Sequence, residues 1–163
     1  MVFNTPTLFD FNAHSKPWTI VNDVVMGGRS QAQYFINEAG HALFKGRVSL
    51  ENNGGFASIR YRFLRQDIRK YNQIIIRLKG DGKRYQFRVK ADQYHRFSYV
   101  HNFKTSGEWE QITIDLDAMV PKFRGNTLNM PNFPGLFIEE TAFLIGNKRA
   151  ESFQLVIDRI DMQ

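Results

Sequence analysis

The stretch Gln73-Ile74-Ile75-Ile76-Arg77-Leu78-Lys79-Gly80-Asp81-Gly82-Lys83-Arg84-Tyr85-Gln86-Phe87-Arg88-Val89-Lys90 decides the fold class. Ile74, Ile76 and Leu78 alternate with Gln73, Ile75 and Arg77, and Tyr85, Phe87 and Val89 alternate with Gln86, Arg88 and Lys90. Successive side chains of a strand point to opposite faces, so a period of two reads as a half-buried strand with one apolar and one polar side. The intervening Gly80-Asp81-Gly82-Lys83 has the residue types of a tight turn and predicts a hairpin.

Working outward, Ile59, Tyr61 and Phe63 alternate with Ser58, Arg60 and Arg62 in the same way. Further strands are expected at Leu8–Phe11, Trp18–Val21, Gln31–Ile36, Ala42–Leu50, Phe97–Phe103, Trp109–Leu116, Thr141–Ile145 and Ser152–Ile160. Helix is expected only as single turns at Asp67–Tyr71 and Asp115–Met119. Many short strands separated by turn residues predict an all-β antiparallel β-sandwich, with a jelly roll as the expected topology. Val120–Gly135 contains Pro121, Pro131, Pro134, Gly125 and Gly135 and reads as a long loop, of a length that is often functional.

The 163 residues suit one domain over residues 1–163. There is no cysteine, which excludes disulfides, thiolate metal sites and a cysteine nucleophile. The fifteen phenylalanines suit strand faces turned to a core. Lys and Arg number 22 against 16 Asp and Glu, a formal charge of +6 that favours contact with something anionic or serves solubility alone. Met1-Val2-Phe3-Asn4-Thr5-Pro6 carries neither a basic start nor a long apolar stretch, so no signal or transit segment is expected. Apolar runs such as Ile74-Ile75-Ile76 are too short to cross a bilayer, and the expected location is cytoplasmic.

Catalytic constellations are missing from the pattern. His14, His41, His95 and His101 show no pair at metal-ligand spacing. The carboxylate pairs Glu108/Glu110, Asp115/Asp117 and Glu139/Glu140 are expected to face solvent. Gly27-Gly28-Arg29-Ser30 lacks the Lys-Ser/Thr ending of a phosphate-binding loop, and no serine sits in a nucleophile elbow. A non-enzyme is therefore expected, with no cofactor and no metal.

Two segments offer a shaped surface instead: Trp18 to Ser30, which contains Asn22, Asp23, Met26, Gly27 and Gly28, and Gly46 to Ser58, which contains Asn53, Gly54, Gly55 and Phe56. Glycine pairs allow positive φ and close approach of another chain. Asp23 and Ser30 either hold a turn through backbone hydrogen bonds or form a contact surface. Phe56, Trp109, Phe123 and Arg124 are candidate interface anchors, and Phe56 and Trp109 are equally readable as core residues at strand starts. Arg124 beside Gly125 in the long loop is placed to grip a carboxylate or phosphate.

Three partner classes remain open. Protein contact would use the glycine loops and the long loop. Carbohydrate binding would use Asn22, Asp23, Asn52, Asn53 and Arg124 with an aromatic platform. Nucleic-acid binding would use a basic stripe of Arg60, Arg62, Arg77, Lys79, Arg88 and Lys90, provided those strands share one sheet, with Tyr94, His95, Phe97 and Tyr99 stacking on bases.

The chain also resembles the complex I intermediate-associated protein 30 family. The resemblance runs through Leu8-Phe9-Asp10-Phe11, Trp18, Asn22-Asp23, Met26-Gly27-Gly28, Ser30, Phe44, Gly46 and Asn53-Gly54-Gly55-Phe56. It continues through Gly80-Asp81-Gly82, Tyr85, Trp109, Phe123-Arg124-Gly125 and Phe153 to Ile160. It implies a galactose-binding-domain-like β-sandwich and a non-catalytic assembly or chaperone role, as in mitochondrial relatives that act on respiratory complex I intermediates. This chain looks like a compact bacterial-type member. The matching positions imply a partner-binding loop surface of Asn22, Asp23, Met26, Gly27, Gly28, Ser30, Asn53, Gly54, Gly55, Phe56, Arg124 and Gly125.

Overall fold

The computed structural model describes residues 7–11, 18–23 and 27–163. Thirteen strands run through them: β1 Thr7–Asp10, β2 Thr19–Asn22, β3 Gln31–Ile36, β4 Ala42–Val48, β5 Ala57–Asp67, β6 Gln73–Lys79, β7 Arg84–Lys90, β8 Ser98–Lys104, β9 Trp109–Asp115, β10 Val120–Phe123, β11 Asn126–Thr127, β12 Phe137–Ile145 and β13 Glu151–Met162. The pairing is antiparallel throughout, in two sheets. One has the order β3-β4-β13-β6-β9, with β1 also pairing β13, and the other has β11-β10-β8-β7-β12-β5-β2. They pack face to face as a jelly-roll sandwich, the fold class the alternating pattern predicts.

The core between them is built from the apolar phase of each strand. Ile74, Ile76 and Leu78 of β6 and Tyr85, Phe87 and Val89 of β7 are all buried. Among the described residues eight phenylalanines are buried, and Phe9, Phe11, Trp18, Tyr61 and Phe143 form one continuous set of ring contacts. Aromatic rings at these separations add edge and stacking attraction to the area they remove from water.

Two ladders lose strict register: β13 carries one extra residue against β6, and β5 carries two extra against β12. In β13 the buried series Phe153, Leu155, Ile157 resumes at Ile160 and Met162, and the register against β6 shifts between Ile157 and Arg159. In β12 the shift against β5 falls between Ile138 and Glu140. A bulge restores burial where strict alternation would turn the face outward. β12 starts at Phe137, ahead of the Thr141 start expected from the pattern.

Three expectations are corrected. Gly80-Asp81-Gly82-Lys83 does not close a hairpin, because β6 and β7 lie in different sheets. The turn instead carries the chain across the sandwich, and buried Thr105 clamps it. Its Oγ1 accepts the Gly82 N–H (3.0 Å) and donates to the Lys83 carbonyl (2.8 Å), and a Cβ on Gly80 would meet Thr105 Cβ at 2.2 Å. Asp81 spans the two sheets, accepting from the Gln154 N–H of β13 (2.9 Å) and the Tyr85 hydroxyl of β7 (3.0 Å).

Secondly, Val120–Gly135 is not one loop. β10 and β11 form a small hairpin, and Phe133 is buried against Tyr99, with its N–H donated to the Met119 carbonyl (3.0 Å). Arg124 (φ 51°) and Gly125 (φ 79°) are the two central residues of that hairpin. Both need left-handed backbone, and Arg in place of the usual Asn or Asp hides the turn from the sequence. Thirdly, Glu139 and Glu140 do not face solvent. They are 9% and 4% exposed and pair with Arg65 (2.9 Å) and Arg62 (2.7 Å), at the point where β5 carries extra residues against β12.

Asp81→Ala leaves the Tyr85 hydroxyl and the Gln154 N–H without their acceptor. We expect a loss of about 2 kcal/mol, read as a fall in Tm of about 5 °C in a thermal melt.

Candidate functional site

The first glycine surface is organised around a single carboxylate. Asp23, 1% exposed, follows β2 and receives four hydrogen bonds. Oδ1 accepts the Ser30 N–H (2.9 Å), and Oδ2 accepts the Ser30 hydroxyl, the Gly55 N–H (2.6 Å) and the Phe56 N–H (3.3 Å). Ser30 Oγ in turn accepts the Ser49 N–H (2.9 Å), and Asn22 Nδ2 donates to the Ser30 carbonyl (3.2 Å). Burial acts to raise the Asp23 pKa, but the hydrogen bonds from Ser30, Gly55 and Phe56 outweigh it and hold the carboxyl below its ordinary value.

The glycines are required by this carboxylate. A Cβ on Gly28 would lie 2.4 Å from Asp23 Cγ, and one on Gly54 would lie 2.5 Å from Asp23 Oδ2. Gly27 (φ 88°) has open space around it and is needed for its backbone angle.

The structure thus brings together Asn22, Asp23, Gly27, Gly28, Ser30, Gly54, Gly55 and Phe56. Met26 lies outside the described residues, as does the side chain of Asn53. Arg124 and Gly125 sit at the β10–β11 turn, on the opposite edge of the seven-stranded sheet from β2. Six strand spacings separate the two edges, roughly 29 Å measured along the sheet. The Arg124 guanidinium lies over its neighbour Phe123 (5.3 Å to the ring centroid). Trp109 lies on the other sheet, half-buried, with Arg77 over its ring (5.0 Å) and His41 beside it (4.8 Å).

The basic stripe is divided in the same way. Arg77 and Lys79 belong to β6 in the six-stranded sheet, so they do not join Arg60, Arg62, Arg88 and Lys90. Those four share the outer face of the seven-stranded sheet in two rows. Arg60 and Arg88 flank Ala142, and Arg62 and Lys90 flank Glu140. Sequence reasoning found these cations but missed Arg96, Glu140 and Ala142, which join them around one cleft. Only strand register reveals that meeting. Among the described residues no three His, Asp or Glu side chains gather as metal ligands. No helix there is long and apolar enough to cross a membrane.

Strand order and packing define an antiparallel jelly-roll β-sandwich. The chain is similar in structure to a family 11 carbohydrate-binding module of Clostridium thermocellum, with a TM-score of 0.71 at 14% identity, covering 99% of this chain and 95% of that one. An agarase shows the same fold over part of its length, with a TM-score of 0.64 at 12% identity, covering 97% of this chain and 26% of that one. At those identities the likeness establishes the fold. The family model for complex I intermediate-associated protein 30 matches residues 3–157, and the chain belongs to that family. A curated relative, the mitochondrial complex I intermediate-associated protein 30 of Drosophila melanogaster, is 28% identical over an alignment covering 55% of this chain and 36% of that protein. The chain thus matches little more than a third of that relative's length.

Two outcomes test the carboxylate's role. Gly28→Ala drives a methyl into Asp23 and should cost about 2 kcal/mol in urea unfolding, within the range for overpacking. Asp23→Asn removes the charge and disrupts the hydrogen-bond set, for a loss of about 3 kcal/mol at pH 7. Because the folded-state pKa of Asp23 is depressed, its contribution is present above the ordinary aspartate value, near 3.9, and is lost as pH falls through the lower folded value. The stability gap between wild type and Asp23→Asn should therefore narrow as pH drops below about 4; a gap constant down to that pH and beyond would contradict the assignment.

Proposed function

We propose that this chain is a non-catalytic binding module of the cytoplasm, one β-sandwich domain that holds a protein partner as an assembly factor does. Family membership supports the assembly role, since the family and its Drosophila relative are named for association with complex I intermediates. The observation that carries a protein ligand over a sugar or nucleic acid is the make-up of the seven-stranded sheet's outer face. Its cleft is lined by Arg60, Arg88, Lys90 and Arg96, and Phe56 is the one aromatic ring in that lining. Stacking on exposed rings is what bases require of a protein surface, and a saccharide platform requires the same. A cationic cleft without such a platform suits carboxylates of a folded partner.

The glycine loops contribute by rigidity. With Asp23 holding both, the rim at Gly27, Gly55 and Phe56 is presented in one conformation, which lowers the ordering cost of a contact. The contact surface in this reading is Asn22, Met26, Gly27, Asn53, Gly54, Gly55 and Phe56, held in shape from beneath by buried Asp23, Gly28 and Ser30, with Trp109, Arg124 and Gly125 as outlying contacts.

Tagged chain, expressed in its own cells and recovered under mild detergent, should bring down subunits of partly assembled complex I in excess over those of the finished complex. Mass spectrometry of the eluate reads this. Recovery of no complex I subunit at all would overturn the assembly role, and selective retention of the chain by a glycan panel would replace a protein partner with a saccharide.

A further inference from the structure

The outer face of the seven-stranded sheet holds a cleft of about 190 Å³ whose shape follows from one small residue. Ala142 on β12 stands directly between Arg60 on β5 and Arg88 on β7. A methyl between two long side chains leaves a depression, and the two arginine backbones are two strand spacings apart, roughly 9.6 Å. That separation leaves room for one planar anion between the guanidinium groups.

The charges around the cleft are not balanced from within. Glu140 is committed to Arg62 at 2.7 Å, and Lys90 Nζ donates to the His95 carbonyl at 2.7 Å. Among the described residues no carboxylate lies within ion-pair distance of Arg60, Arg88 or Arg96. Arg88 Nε is buried and makes no hydrogen bond. A buried donor without an acceptor costs about 1–3 kcal/mol, so a ligand that brings an acceptor to it is favoured. Burial also pushes the Arg88 pKa down, and burial with neighbouring Arg62, Arg60 and Arg88 pushes Lys90 down despite Glu140. Burial is the largest cause of both shifts, and Glu140 opposes each.

We propose that this cleft seats an acidic side chain of a polypeptide partner, its carboxylate held between Arg60 and Arg88 above Ala142. This rests on the reading of the chain as a protein-binding module and names the chemistry that module recognises. Guanidinium and carboxylate match in planar, two-pronged geometry. The single charge of a carboxylate is better tolerated beside Glu140 than the double charge of a phosphate. The lip of the cleft is apolar at Val21, Phe56 and Leu144, which suits a hydrophobic residue next to the acid. A nucleic-acid backbone would need cations continued along a track, and Arg77 and Lys79 lie on the other sheet.

The test uses fluorescence anisotropy with a short labelled peptide of alternating Glu and Leu, its Gln/Leu counterpart, a labelled oligogalacturonate and a labelled oligothymidylate. Arg88→Met removes the unpaired donor. Ala142→Leu fills the cleft without changing any charge. Arg60→Gln, at a partly exposed site, provides a variant that folds if the other two do not. Arg149→Gln removes one exposed cation outside the cleft lining as the charge-matched control.

The expected result is Glu/Leu peptide binding weakened by about tenfold or more in Arg88→Met, Ala142→Leu and Arg60→Gln, and unchanged in Arg149→Gln. The Gln/Leu peptide should not bind. No binding of the acidic peptide by the wild type, or equal weakening in all four variants, overturns the proposal. So does preferential binding of the oligogalacturonate or the oligothymidylate. If the wild type recovers complex I subunits and Arg88→Met recovers them equally, the cleft is wrong and the assembly role stands; if the wild type recovers none, the assembly role fails whatever the peptide does.

Discussion

The buried carboxylate of Asp23 is the constraint on which the junction of the two sheets depends. β2 and β5 belong to the seven-stranded sheet, and β3 and β4 to the six-stranded one. The chain therefore crosses the sandwich between β2 and β3 and again between β4 and β5. Both crossings end on Asp23, one through Ser30 and the other through Gly55 and Phe56. Four donors on one acid satisfy backbone groups that a buried turn would otherwise leave unpaired. The close packing of Gly28 and Gly54 on that acid follows from the same geometry. The second clamp, Asp81 with Thr105, does for the β6–β7 crossing what Asp23 does for the other two.

The bulges shape the outer surface as much as the core. Where β5 carries extra residues against β12, Ile138 and Phe143 are both buried, and Glu139 and Glu140 pair with Arg65 and Arg62. One acid is thereby used up beside Lys90, and Arg60 and Arg88 remain without one. The cationic cleft on which the proposed recognition rests is thus a consequence of strand register, not of a local motif. The outer face is chemically distinct from the surface around Trp109, where Arg77, His41 and Asp158 are engaged with one another.

Much of the strand content was legible because alternation survives wherever one face meets the core. Gln31–Ile36 matches the expected span residue for residue, and the alternation from Gln73 to Leu78 falls within Gln73–Lys79. The losses have separate causes. Ser98–Lys104 and Ala42–Val48 differ from expectation only at their ends, where the pattern runs on past the last hydrogen bond. β10 and β11 were hidden by Pro121 and by a turn of Arg124 and Gly125 that lacks the usual asparagine. The Gly80 to Lys83 turn was misread because hairpins and sheet crossings use the same residue types. Of the candidate site, the grouping of Asp23 and Ser30 with the two glycine pairs could be read from their chemistry, whereas the distance of Arg124 and Trp109 from them could not.

By itself the sequence determined the class of the molecule. Apolar and polar residues alternate along short runs, and the free energy of burying one face then commits the chain to a sandwich of antiparallel strands. It also grouped Asp23 with the glycines beside it, as either a held turn or a contact surface, without deciding between the two. Tertiary structure alone decided which strands share a sheet, and therefore which charges share a face. Side-chain period is local, whereas strand order depends on packing among residues far apart in the chain. Arg60, Ala142 and Arg88 meet only because β5, β12 and β7 lie side by side, and no spacing along the chain encodes that neighbourhood.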